Sequence, residues 1–231
     1  MKTLRILAGL VMAALLFGCG GGGGGGTPAT PTPAGTAVSF ATFKGFIIGT
    51  AAAGSQVSFN LTGSDSQGSA WTGSLAVVSD GASTFEAQNV TNSRVLTTLT
   101  RTATGVTASG IETLYFLTAN GNLYKQVSSS GTTGVPAAQT QLPAIGHVGE
   151  SASLWTLSES DGSTETLAWR LDPDVNGNSK LVLSSVTRDG SNAVTTVEDN
   201  TFFLDASGNP FRFSVTVTTG GVTVSLAGNR N

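Results

Sequence analysis

From Gln56 onward, apolar and polar residues alternate in short runs. In Gln56-Val57-Ser58-Phe59-Asn60-Leu61, the residues Val57, Phe59 and Leu61 share one face, and Ser58 and Asn60 the other. A period of two predicts a strand buried on one side. Between such runs stand tight-turn signals: Asp80-Gly81, Asn176-Gly177, Ala119-Asn120-Gly121-Asn122, Ala206-Ser207-Gly208-Asn209 and Thr219-Gly220-Gly221. Asn, Asp and Gly tolerate the positive φ that two-residue hairpin turns demand, so Asp80-Gly81 and Asn176-Gly177 are read as hairpins. Connections this short exclude parallel crossovers. No window sustains a 3.6-residue apolar period. The prediction is an all-β, antiparallel meander curled into a barrel, half-barrel or two packed sheets, with its Ser/Thr-rich face left wet.

The pattern occurs twice. Leu61 to Asp65 with Trp71 and Leu75 lines up on Leu157 to Asp161 with Leu167 and Leu171. In that register Phe59 meets Trp155, Asp80-Gly81 meets Asn176-Gly177, and Val90-Thr91 meets Val186-Thr187. After a shortening of about nine residues, Tyr115-Phe116-Leu117 falls on Phe202-Phe203-Leu204, and Tyr124-Lys125 on Phe211-Arg212. Residues of about 50–135 and 146–223 are therefore read as tandem copies within one all-β domain, 37–231. Large apolar residues recur at matched positions, so Trp71 and Trp169 are assigned to the core rather than to a sugar-stacking platform. Val38 to Ile48, with its dense Phe46-Ile47-Ile48 cluster, is expected to add a strand and to be covered.

The chain begins differently. Lys2 and Arg5 precede an apolar run, Ile6 to Phe17. A spanning helix needs roughly 20 apolar residues, so this run is too short to cross a bilayer and reads as a secretory signal, residues 1–18. Leu16-Phe17-Gly18-Cys19 resembles the lipobox of bacterial lipoproteins, in which a leucine and a small residue precede a cysteine that is lipidated and becomes the mature N-terminus. Leu16, Gly18 and Cys19 match; Phe17 is bulkier than usual. The resemblance implies acylated Cys19, the chain's one cysteine, as a membrane anchor. Several acyl chains, each stabilised by about 0.8 kcal/mol per buried CH₂, hold far better than one. Gly20 follows Cys19 where an inner-membrane retention signal would carry aspartate, which implies the outer membrane. Residues 19–36 (seven glycines, then a Thr/Pro segment) form an expected tether. No Lys-Ser or Lys-Thr follows the glycines, which excludes a phosphate loop.

Charge narrows the function classes. Charged residues make up 11% of the chain, against roughly 25% in soluble domains. Without Lys2 and Arg5, nine basic side chains face fourteen acidic ones, a formal charge of −5. No basic stripe exists, so nucleic acid is not an expected partner. His147, the one histidine, lacks the Gly-x-Ser-x-Gly elbow and the companion ligands that hydrolase or zinc chemistry needs, and is read as a loop residue.

Asp172, Asp174, Asn176 and Asn178 alternate around Gly177 and resemble the start of an EF-hand loop. Leu183 stands where that loop closes with glutamate, so the run is read as a solvated hairpin turn, with weak calcium binding the alternative. Glu159, Asp161 and Glu165 are the nearest approach to a carboxylate pair for glycoside hydrolysis. No catalytic residue, metal site or cofactor is assigned. The expected function is a lipid-anchored envelope protein, a binding or structural module without enzymatic activity. The alternatives are a lipid or lipoprotein carrier with a hollow interior, and a hydrolase with a carboxylate-based site.

Overall fold

The computed structural model describes residues 32–231. The signal segment, Cys19 and most of the expected tether lie outside the described residues. Six strands run in succession, β2 (Gln56–Asp65), β3 (Ala70–Phe85), β4 (Gln88–Arg101), β5 (Val106–Leu117), β6 (Leu123–Ser128) and β7 (Thr133–Gln139). After a short strand, β8 (Ile145–His147), six more follow: β9 (Ser151–Glu159), β10 (Thr164–Pro173), β11 (Ser179–Arg188), β12 (Val194–Leu204), β13 (Pro210–Thr219) and β14 (Val222–Asn229). Each pairs antiparallel with its neighbour; β7 meets β9, and β14 meets β2, closing a twelve-stranded barrel. The fold is the predicted antiparallel meander, and of the shapes foreseen it takes the barrel.

Closure requires two backbones to approach tightly where β14 meets β2. A Cβ on Gly228 would lie 1.7 Å from the Asn60 carbonyl oxygen, and one on Gly63 would lie 1.9 Å from that of Ser225. Only glycine fits at either position.

Two turn readings divide. Asn176 and Gly177 both have positive φ and connect β10 to β11. Asp80-Gly81, by contrast, is not a turn. It lies inside β3, where the register shifts between Ser79 and Gly81 and Gly81 takes φ +80°. The extra residue makes a β-bulge, and Asp80 there accepts two hydrogen bonds from Arg94 at 2.7 and 2.8 Å. The hairpin turns later, at Glu86 and Ala87, so β3 and β4 reach further than β10 and β11. The additional residues of the first half therefore sit in the β3–β4 hairpin, and the match of Val90-Thr91 to Val186-Thr187 does not hold. The first hairpins also match two residues away from the sequence register. Asp65 N–H bonds the Ser69 carbonyl and Glu159 N–H bonds that of Ser163, so Asp65 corresponds to Glu159 rather than Asp161.

Residues 38–48 do not join the barrel wall. Strand β1 (Ala37–Ser39) pairs with β8, and Ala41–Ile47 forms a helix, α1. Phe40, Phe43 and Ile47 recur at helical spacing, and packing rather than propensity holds so short a helix. Phe43 is buried against Phe202, with ring centroids 4.6 Å apart, and Phe40 meets Trp169 edge-on at 5.6 Å. The carbonyls of Ile47 and Ile48, left unpaired at the helix end, accept hydrogen bonds from Ser93 and Thr91. The apolar cluster is thus covered, as expected, but by a helix.

Inward residues divide along the barrel axis. Around α1 they are apolar: Phe59, Leu61, Leu75, Leu171, Leu181, Phe202, Leu204 and Phe213 belong to one buried cluster. This end is filled. Towards the opposite end, formed by the β2–β3, β4–β5, β6–β7, β9–β10, β11–β12 and β13–β14 turns, the inward residues become polar. Outward positions carry Ser214, Thr216 and Thr218 on β13 and Thr223 and Ser225 on β14, with Arg94, Arg170 and Arg212 among the outward side chains.

Candidate binding cavity at the barrel mouth

The open end encloses a cavity of about 300 Å³, with Thr97, Glu112, Gln126, Ser128, Glu159 and Thr187 among its lining residues. Period-two alternation puts Glu112 in that lining, with Glu159 beside it, and sets Glu165 and Glu198 on the same inner wall, outside the lining itself. Glu112 lies two residues before Leu114 on the inner face of β5, and Glu165 two before Leu167 on β10. Glu198 is inward on β12, two residues deeper than the lining residue Thr196. Glu159 ends β9.

Each carboxyl has a neutral partner. Gln126 Nε2 donates to Glu112 at 3.2 Å, Ser163 Oγ to Glu159 at 2.6 Å, Ser185 Oγ to Glu165 at 2.8 Å and Asn200 Nδ2 to Glu198 at 2.5 Å. Desolvation by the barrel wall pushes the Glu165 carboxyl up to about 8; the Ser185 bond opposes this, and the charges of Glu159, Glu198 and Glu112 add to it. Burial likewise raises Glu198 to about 7, against the Asn200 bond and with Glu112 and Asp199 adding. Glu112 is raised too, mainly by burial. No lysine or arginine contributes to these three shifts. The mouth arginines are engaged at the rim: Arg101 with Asp65 at 3.7 Å and with Ser69, and Arg188 with the Asn192 carbonyl at 3.3 Å.

The cavity therefore lies over carboxyls whose protonated form burial favours: Glu112 in its lining, and Glu165 and Glu198 deeper on the wall. It offers hydrogen-bond donors and acceptors in a partly dry space. Such a set can hold a small polar solute. A neutral carboxyl beside an ionised one is also the pairing that general acid–base catalysis uses. An acyl chain would find little apolar wall there, Val95 being the one large apolar side chain in the lining.

Of the residues singled out in the sequence, Glu159 and Asp161 line the cavity, and Glu165 lies outside the lining but close enough to feel the charge of Glu159. Glu112 and Glu198 complete the group. Their signal was their parity, since each shares the inner face with large apolar residues further along its own strand.

The other candidates lie at the closed end. His147, on β8, is exposed and 3.1 Å from Glu150. Asp172 pairs with Arg170 at 3.0 Å and Asp174 with Lys180 at 3.2 Å, so cationic side chains already face both carboxylates. That turn does more than face solvent. Thr32 donates its N–H to the Asp174 carbonyl at 2.6 Å and its hydroxyl to that of Asn178 at 2.5 Å, tying down the segment that leads into α1. Among the described residues no three Asp, Glu, His or Cys side chains are grouped so as to hold a metal ion. Cys19 lies outside the described residues.

The fold and site define a closed twelve-stranded antiparallel barrel, plugged by a helix at one end and acidic at the other. Compared with models of known families, with curated proteins and with solved structures, the chain matches none.

Proposed function

We propose that this is a cell-envelope lipoprotein, anchored in the outer membrane through acylated Cys19, whose barrel is a binding module without enzymatic activity. One observation carries the reading. The described chain starts at Thr32 against the β10–β11 turn, at the closed end, so a leash from Cys19 leaves the cavity at the far end from the lipid. The hydrophilic outward faces support a barrel that stands clear of the bilayer, since a spanning barrel carries a continuous apolar band.

Fractionation tests the anchor: Cys19→Ser should move the protein from membrane to soluble fraction, and firm retention of the variant would refute it. Single cysteines then test polarity. A dye on Asn176→Cys should be quenched by lipid-borne quenchers more than a dye on Ser130→Cys, and the reverse order would overturn the orientation.

The gathering of Glu159 and Glu165 favours a second reading, a carboxylate-based hydrolase. It predicts that p-nitrophenyl glycosides are cleaved by the parent and not by Glu165→Gln. The binding-module reading predicts no release from either protein above buffer.

A further inference from the structure

We propose that the barrel mouth is a proton-controlled gate that opens along the seam between β6 and β7. The proposal takes the mouth cavity as the binding site of the function above, but its test reads strand pairing, so the two can fail separately.

The wall is unevenly laced. Strands β4 and β5 are registered without a break from Val90–Leu117 to Arg101–Val106. Strands β6 and β7 are registered at Gln126–Gly134 and Val127–Thr133 alone, both beside the mouth turn. Further along they diverge, linked by the Gln139 side chain donating to the Leu123 carbonyl at 3.1 Å. Pro136 on β7 has no N–H to offer the ladder.

This weakly paired hairpin sits between two carboxyls. Glu112 on β5 flanks β6 and accepts from Gln126, while Glu159 on β9 stands opposite Gly134 of β7 in register. Across the cavity, β10 presents Glu165 and β12 presents Glu198. The inward residues facing them from β11 are the uncharged Ser185 and Thr187, from β4 Val95 and Thr97, from β6 Gln126 and Ser128, and from β13 Val217. Other charges near the mouth are Asp161 and Asp189 on the rim, the Asp65–Arg101 pair, Arg188, and Asp199 beside Glu198, with Arg170 turned outward to Asp199 at 3.6 Å. Lys125 of β6 is turned to Glu86 at 2.5 Å.

With protons on Glu165 and Glu198, the group is partly neutral and the hairpin is held from both sides. When Glu165 and Glu198 lose those protons, like charges face one another across a confined, partly desolvated space without an intervening cation. Repulsion of that kind is relieved by widening, and the wall yields where its ladder is shortest. The raised proton affinities of Glu112, Glu165 and Glu198 agree with this, and those of Glu165, about 8, and Glu198, about 7, put the transition near neutral pH.

Amide hydrogen exchange on the purified protein at pH 6 and pH 9, corrected for intrinsic rates, decides the matter. Protection across residues 123–139 should fall at pH 9 at least about tenfold further than that of the β13–β14 hairpin, which loses only what the general destabilisation of the barrel removes. In a Glu165→Gln/Glu198→Gln variant the fall should vanish. The comparison of hairpins within the parent needs no variant, so a misfolded double substitution would not spare the proposal. Equal protection of the seam at both pH values, an equal loss at every mouth hairpin, or an undiminished loss in a folded variant would each overturn it.

Discussion

Replacing Phe202 with alanine is expected to cost about 3–5 kcal/mol of unfolding free energy. The ring is buried and touches Phe43 on α1 at 4.6 Å, Phe213 at 4.8 Å and Phe59 at 6.2 Å between centroids. It joins the plug helix to strands from both halves of the barrel. Removing it leaves a cavity that neighbours on three elements cannot collapse to fill, and it forfeits the ring–ring terms as well. Urea unfolding followed by tryptophan fluorescence should show a lower midpoint with an unchanged slope. Phe202→Leu keeps most of the volume and should cost clearly less. Phe211→Ala, on the exposed side of β13, should shift stability by about 0.5 kcal/mol or less. Equal losses at positions 202 and 211 would mean that the aromatic cluster is not the core.

Raising the pH from 5 to 9 should destabilise the whole barrel. Glu165 has an ordinary value of 4.5, which applies to the unfolded chain, and about 8 in the fold. Between those values the folded state holds a proton that the unfolded chain has released, so the free energy of unfolding falls as pH rises. The stabilisation is complete below 4.5 and gone above about 8; Glu198 acts the same way up to about 7. Each carboxyl is partly reached by water and they share protons, so the joint effect is discounted to about 2–4 kcal/mol.

Glu165→Gln should therefore unfold at a higher denaturant midpoint than the parent at pH 9, with the advantage shrinking towards pH 5. A parent midpoint flat from pH 5 to 9 would show that these carboxyls ionise freely in the fold. Below about pH 4 the trend reverses. Asp65, held low by the Trp71 indole N–H, the amides of Ser69 and Gln67 and the nearby Arg101, is there forced to take up a proton.

Much of the fold is legible in local patterning because a strand's two faces are written residue by residue. Alternation identified the inner residues Val57, Phe59 and Leu61, and Asn176-Gly177 turns as its composition requires. The same rule explains the misreadings. A slip of two residues leaves every side chain on its own face, so Asp65 matched Asp161 as readily as its true counterpart, Glu159. Asp80-Gly81 fits a bulge as well as a turn, since both need positive φ at glycine. Which one forms depends on where β4 pairs with β3. Residues 40–47 are apolar enough for either strand or helix, and the space inside the barrel, with hydroxyls at Ser93 and Thr91 to receive the helix end, decided for the helix.

The site follows the same division. Parity alone marks Glu112, Glu165 and Glu198 as inward, because each shares a face with the apolar residues beyond it. That they meet is not written in any one strand. Glu112 and Glu198 lie on β5 and β12, and only closure of the sheet brings those strands face to face. Strand identity, turns such as Asn176-Gly177 and the lipobox resemblance are local properties and belong to the sequence. The plug, the register between halves and the shared protons of the mouth arise from contacts between distant segments, and the barrel's closure decided them.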